Sequence, residues 1–220
     1  MKFFLDSAMT DQIEHALEMW DIDGVTTNPR HVQVSGKPFM NVIKEIADIF
    51  AGTDKPVSVE VNPHLTDWKE MVTEGKKLAA ISPNFVIKLP AIEPGYKATY
   101  ELAKDDIRSN VTLVFSAAQA LHAMRMGAYF VSPFVGWKEN NGEETTHFID
   151  EVSTIRSVFG FETEIIVAAA RNARQITNSA VVGADIVTAG MPVFQEAFAH
   201  PYTDVGLGKF QAFWDDTPYE

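Results

Sequence analysis

A single lysine interrupts an otherwise apolar run, Phe85-Val86-Ile87-Lys88-Leu89-Pro90. A lysine in such a run either snorkels from a strand end to water or stays desolvated inside. Burial disfavours an ammonium, so a desolvated lysine is partly neutral near pH 7. It can then attack a carbonyl carbon and form a Schiff base. From this run alone both readings stand. Imine chemistry also needs an acid/base to carry protons through carbinolamine formation and dehydration. Asp6 and Glu60, each closing an apolar run, are the candidates. The chain has no Cys, which removes a thiol nucleophile, Cys-ligated zinc and thiolate-held iron–sulfur clusters, and leaves Lys88 as the best nucleophile. His15, His31, His64, His122, His147 and His200 show neither HxH nor HExxH spacing. They read as surface or core-edge residues, and no metal site can be assembled from them.

Further polar residues fall at or near the ends of similar runs: Thr26, Asn28, Asn110, Thr112, Ser132, Arg171 and Thr188. Each has a local explanation, since an Asp ending a strand often caps a helix and Thr is a good strand former. Their convergence is what calls for one framework. The apolar runs cover 2–6, 24–27, 57–61, 85–89, 110–115, 129–133, 165–169 and 185–189, mostly apolar on both faces. Helical patterns lie between them, at 11–20, 41–50, 65–80, 96–104, 117–126, 146–159, 173–182 and 191–199. Within 11–20, for example, Ile13, Ala16, Leu17 and Trp20 share a face. This alternation predicts a (β/α)₈ TIM barrel, an α/β fold that collects chemistry where its strands end. An open Rossmann or flavodoxin-like sheet is the alternative, but no Gly-rich fingerprint follows the first run. Gly206-Leu207-Gly208-Lys209 reads as a helix start, and an extra C-terminal helix is expected around 209–214. No linker divides the chain, so residues 1–220 are expected to form one domain.

Composition limits the partners. The chain has 220 residues, and 18 Lys and Arg against 30 Asp and Glu give a formal charge of −12. An acidic chain without a basic run is a poor ligand for nucleic acid or an anionic membrane. The segment Met1-Lys2-Phe3-Phe4-Leu5-Asp6 reaches an acid too early for a signal-peptide core. No apolar run approaches the roughly 20 residues that span a bilayer. A soluble, cytoplasmic protein acting on a small molecule is expected.

Five segments in order resemble the transaldolase family, in its small branch that includes fructose-6-phosphate aldolases. They are Phe4-Leu5-Asp6, Gly24-Val25-Thr26-Thr27-Asn28-Pro29, Val86-Ile87-Lys88-Leu89-Pro90, Asn110-Val111-Thr112-Leu113-Val114-Phe115-Ser116 and Tyr129-Phe130-Val131-Ser132-Pro133-Phe134-Val135-Gly136. The resemblance implies a homo-oligomer, typically a decamer of two pentameric rings, and no metal or organic cofactor. It implies that Lys88 is the Schiff-base lysine and Asp6 the acid/base that assists carbon–carbon cleavage. Glu60 and Thr112 match positions that hold a catalytic water. Thr26, Asn28, Asn110 and Ser132 match positions around the dihydroxyacetone part of a ketose. Phe134 stands where the aldolases tend to carry Tyr, and Glu60 where they carry Gln; both imply transfer of dihydroxyacetone over its release.

The chain departs from this pattern at the substrate's anionic end. The family recognises a sugar phosphate through an Arg that is Trp137 here and a Ser that is Ala169 here. Arg30 replaces a small residue. Loss of a bidentate Arg from an oxyanion pocket costs several kcal/mol of phosphate binding, and an indole supplies only one N–H. Arg30, Arg171 and Lys138 are the remaining candidates for positive charge. A sulfonate carries one negative charge where a phosphate monoester carries nearly two, so it needs less compensation. The pattern therefore resembles what a member acting on 6-deoxy-6-sulfofructose would need, with glyceraldehyde 3-phosphate or glyceraldehyde as acceptor and sulfolactaldehyde as product. The alternatives are a fructose-6-phosphate aldolase or ordinary sugar-phosphate transaldolase with a rebuilt phosphate site, and a non-catalytic sugar-binding barrel.

Overall fold

Eight parallel strands close on themselves in chain order in a computed structural model that describes residues 1–220. The strands are β1 (Lys2–Asp6), β2 (Gly24–Thr26), β3 (Val57–Glu60), β4 (Phe85–Pro90), β5 (Ser109–Val114), β6 (Phe130–Pro133), β7 (Glu164–Ala170) and β8 (Ile186–Ala189). Around them run α1 (Thr10–Trp20), α2 (Pro29–Ser35), α3 (Phe39–Phe50), α4 (Trp68–Ala79), α5 (Glu93–Ala103) and α6 (Ala117–Arg125). The outer layer continues with α7 (Gly136–Asn140), α8 (Thr146–Phe159), α9 (Ala173–Val181), α10 (Met191–Phe198) and α11 (Pro201–Asp215). This is the expected (β/α)₈ barrel. No helix is long and apolar enough to cross a membrane.

The two-residue period of a strand explains why the runs are apolar on both faces and yet carry chemistry. One set of alternate residues, including Leu5, Val25, Val57, Val59, Ile87 and Leu89, packs outward on helical residues such as Ile13, Ile43, Ile46 and Phe194. Another outward set, Val111, Val131, Ile165 and Val167, meets Ala120, Met124, Ile149 and Val152. The inward residues form layers. Phe4, Val86, Phe130, Ile166 and Ile186 make an apolar plug, with the rings of Phe4 and Phe130 edge-on at 5.8 Å. Two residues further along each of these strands come Asp6, Lys88, Ser132, Ala168 and Thr188. The plug therefore floors a polar layer at the C-terminal ends of the strands. Gly24 completes the floor, because a Cβ there would lie 2.7 Å from the Phe4 ring and 2.6 Å from the Pro56 carbonyl.

Register then sets neighbours. Asp6 pairs with Thr26, Glu60 with Lys88, and Lys88 with Asn110. The register shifts between Val111 and Val114 on β5 and between Val167 and Ala170 on β7. At those irregularities Leu113 and Ala169 adopt left-handed backbone, at φ 59° and 57°. This conformation costs an L-residue about 1–2 kcal/mol. Both residues lie in the wall of the cavity described below.

Several boundaries differ from those expected. α5 starts at Glu93 rather than near 96, because Pro94 occupies the first turn, where a missing N–H is no loss. The last helix begins at Pro201 and not near 209, so Gly206 and Gly208 lie inside it and mark no start. His200 caps it, its Nδ1 accepting from the Tyr202 N–H at 3.2 Å. None of the residues of α11 is buried, and Phe210, Phe213 and Trp214 all face solvent. The short helices α2 and α7 were not expected.

Candidate active site

A cavity of 410 Å³ opens at the C-terminal ends of the strands, with Lys88 in its wall. Lys88 does not snorkel to solvent: it is 4% exposed. Its Nζ donates to the Thr27 carbonyl at 3.1 Å and lies 3.6 Å from Glu60 Oε2. Burial pushes the Glu60 carboxyl above the usual carboxylate range; Lys88 opposes the rise and the charge of Asp6 adds to it. Asp6 goes the other way. Burial alone would raise it, but the hydrogen bond and charge of His31, the charge of Lys88 and the Thr26 hydroxyl hold it below the ordinary value. Two carboxylates in one mouth are thus driven apart, one ionised at lower pH and one holding its proton to higher pH.

Thr26 Oγ1 donates to Asp6 Oδ1 at 2.8 Å. Its single hydrogen is then spent, so in its 2.5 Å contact with Thr188 Oγ1 the Thr188 hydroxyl is the donor. Thr112 Oγ1 is buried, reaches the cavity wall and has no protein hydrogen-bond partner. An unsatisfied buried hydroxyl costs about 1–3 kcal/mol, so this atom is suited to a ligand or water. Ser132 lines the cavity and donates to Asn110 Oδ1 at 2.7 Å, while Asn110 Nδ2 donates to Ser58 Oγ at 3.0 Å. Asn110 itself is fully buried beneath Ser132 and does not reach the wall. It orients Ser132 instead.

Asn28 and Pro29 open α2, with Asn28 Oδ1 accepting from the His31 N–H at 3.1 Å. The sequence Asn-Pro at a strand end is a helix start, and it swings Arg30 and His31 over the cavity mouth. His31 Nε2 lies 3.1 Å from Asp6 Oδ2. His31 is half-buried at the core edge, as expected, but its contact with Asp6 is one that the sequence reading missed. The signal that could have found it was the cap: a side chain three residues after Asn28 must sit in the first helical turn.

Arg30, Trp137, Ala169 and Arg171 occupy the wall together with Phe134. Neither guanidinium has a carboxylate within 4 Å. Lys138 differs: it bonds to Glu143 and to the Phe115 carbonyl and is not part of the wall, so it is removed from the candidate cations. Trp137 is edge-on to Phe134 at 5.6 Å. Gly136 lets the β7 end approach, since a Cβ there would lie 2.1 Å from the Ala169 carbonyl and 2.9 Å from Arg171 Nε. The Arg171 N–H donates to Gln175 Oε1 at 2.6 Å, and Gln175 Nε2 donates to Glu139 Oε2 at 2.5 Å, tying the Trp137 helix to the Arg171 loop.

A buried amine beside one carboxylate, with a second, ionised carboxylate across the mouth, can run imine chemistry and a proton transfer. A family model for Transaldolase/Fructose-6-phosphate aldolase matches residues 3–217. The chain belongs to this family. As a transaldolase-family enzyme it is 55% identical over 221 residues to a 6-deoxy-6-sulfo-D-fructose transaldolase of Priestia megaterium, covering 100% of this chain and 98% of that protein. A protein of the same description from Priestia aryabhattai gives the same identity and coverage. A probable transaldolase of Aquifex aeolicus is 44% identical over 218 residues, covering 99% and 98%. The transaldolase barrel thus carries both the amine site and, in the wall of the same cavity, Trp137 and two arginines without carboxylate partners.

Proposed function

We propose that this transaldolase forms a Schiff base on Lys88 and takes 6-deoxy-6-sulfofructose as its preferred donor. The observation that carries the donor assignment is the cavity wall: Arg30 and Arg171, without carboxylate partners, line the same cavity as Trp137 and Ala169. Guanidinium and indole N–H groups are donors only, and a sulfonate near pH 7 offers three oxygens that are acceptors only. The identity to proteins described as 6-deoxy-6-sulfo-D-fructose transaldolases supports the same reading.

The amine of Lys88 attacks the ketose C2, and the carbinolamine loses water to give an iminium. Glu60, 3.6 Å from Nζ, and the unpartnered Thr112 hydroxyl hold the water that moves protons in this step. A carboxyl raised by burial exchanges its proton closer to neutral pH, which suits that task. Thr26, Asn28 and Ser132 position the dihydroxyacetone portion, with Asn110 fixing Ser132 from below. Asp6 takes the C4 hydroxyl proton, the C3–C4 electron pair flows into the iminium, and sulfolactaldehyde leaves. The enamine that remains adds to glyceraldehyde 3-phosphate or glyceraldehyde by the reverse steps. Phe134 offers the enamine no hydroxyl to protonate it, which favours transfer over release of dihydroxyacetone.

The competing donor is fructose 6-phosphate. Comparing kcat/KM of the two donors at a fixed acceptor concentration tests the assignment. Turnover of the sulfosugar should greatly exceed that of the phosphate, and the opposite ranking would remove the sulfonate reading. The aromatic residues exposed along α11 support a homo-oligomer as the working form, a decamer by family resemblance. The solution mass tests that point.

A further inference from the structure

We propose that His31 is a positioning residue for carbon–carbon cleavage, holding one oxygen of Asp6 so that the carboxylate presents a fixed edge to the substrate hydroxyl. The proposal rests on the reading of Asp6 as acceptor of the C4 hydroxyl proton. A carboxyl group turns about a broad terminal torsion, so one hydrogen bond leaves it free to swing. Here each oxygen is held from a different element. Thr26 of β2 donates to Oδ1 at 2.8 Å, and His31 of α2 meets Oδ2 at 3.1 Å. Since Asp6 is held ionised, the hydrogen in the second contact belongs to His31 Nε2. His31 is itself anchored, its backbone N–H bonded to the side chain of the cap Asn28 at 3.1 Å. With both oxygens held, the remaining lone pairs of Asp6 point in directions set by the fold.

In the cleavage step the C4 O–H proton passes to Asp6 and the O–H electron pair becomes part of the C4 carbonyl. The C3–C4 pair forms the enamine double bond, and the iminium nitrogen regains its lone pair. His31 neither gains nor loses a proton. It acts through geometry, and by donating to the anion it also keeps Asp6 ionised at lower pH. The charged and titratable groups facing this pair in the cavity are Lys88 from β4, Glu60 from β3, Arg30 beside it on α2 and Arg171 at the end of β7.

The test uses the full-length protein and three variants, His31→Leu, His31→Gln and Asp6→Asn. Donor cleavage is followed across pH with both 6-deoxy-6-sulfofructose and fructose 6-phosphate, glyceraldehyde 3-phosphate being the acceptor. Borohydride trapping of dihydroxyacetone on Lys88 is measured in parallel, because that step does not involve C4. H31L should lower kcat about tenfold or more, move the acid limb of the profile to higher pH, and leave trapping within about twofold. H31Q, which keeps an N–H donor, should regain most of the lost kcat. Equal losses of trapping and cleavage, an unmoved acid limb, or an H31Q as slow as H31L would overturn the proposal. D6N separates it from the reading beneath it: if D6N cleaves as well as the parent, the assignment of Asp6 fails and the role of His31 falls with it.

Discussion

Lys88 and Glu60 are register partners on neighbouring strands, and their side chains face the same interior with Nζ 3.6 Å from Oε2. The amine and its nearest proton acceptor are thus fixed by the β3–β4 hydrogen-bond ladder and not by a mobile loop. Strand-borne groups hold geometry more closely than loop-borne ones, which matters when a proton must cross a few ångströms.

The raised Glu60 carboxyl gives a stability prediction with a definite sign. Its folded pKa lies above the unfolded one because burial disfavours the anion. Its contribution to stability is therefore fully present below the unfolded pKa and lost as pH rises through the folded one. Glu60→Gln should raise Tm at pH 7 and change it less at pH 4. The same variant should slow imine formation and hydrolysis, read by stopped-flow with dihydroxyacetone. A Tm that falls at pH 7 would mean that the Lys88–Glu60 attraction outweighs the cost of burial.

Arg30 and Arg171 should matter for the anionic end and not for the amine. Arg30→Ala or Arg171→Ala should weaken sulfosugar binding by about 1.5–3 kcal/mol, the worth of a charged hydrogen bond. This is read as a rise in KM of roughly tenfold to a hundredfold. Trapping of unsubstituted dihydroxyacetone should change little. A parallel loss of both would make the arginines structural.

Gly136 is predicted to be intolerant of any side chain. Gly136→Ala drives a methyl to 2.1 Å from the Ala169 carbonyl and 2.9 Å from Arg171 Nε. Overpacking of this kind costs about 1–3 kcal/mol, and each kcal/mol corresponds to about 2–4 °C of Tm for a chain of this size. Thermal unfolding together with KM for the sulfosugar checks both consequences, since Arg171 must move if the methyl is accommodated.

Phe134→Tyr should place a hydroxyl at a wall position that now has none. Release of free dihydroxyacetone in the absence of acceptor should increase, measured with a coupled reductase assay. An unchanged partition between transfer and release would show that Phe134 only packs against Trp137 and Phe115.

Much of this site was legible in the sequence because a barrel converts strand ends into a common rim. Asp6, Thr26, Glu60, Lys88, Ser132 and Thr188 stand two residues beyond apolar or small inward positions, Thr112 stands two beyond Asn110, and a period of two needs no tertiary information. Asn110 shows the limit. It has the right parity, but the layer it occupies depends on the stagger between strands, and it lies one level below the cavity. His31 escaped for another reason, since its contact with Asp6 depends on where α2 points after Asn28 and Pro29. The charge of Lys138 was visible, whereas its engagement by Glu143 depends on the path of the 141–145 loop. The left-handed backbone at Leu113 and Ala169 had no signal, because neither residue type favours it. The start of α11 was misplaced because two glycines lowered the helical signal that Pro201 and the His200 cap restore.

The most direct measurement is borohydride reduction of the enzyme with 6-deoxy-6-sulfofructose or fructose 6-phosphate, followed by peptide mass spectrometry. A reduced dihydroxyacetone adduct is expected on Lys88, formed at lower concentration of the sulfosugar than of the phosphate and absent in Lys88→Met. An adduct on another residue, an adduct that survives Lys88→Met, or preferential trapping from fructose 6-phosphate would contradict this expectation.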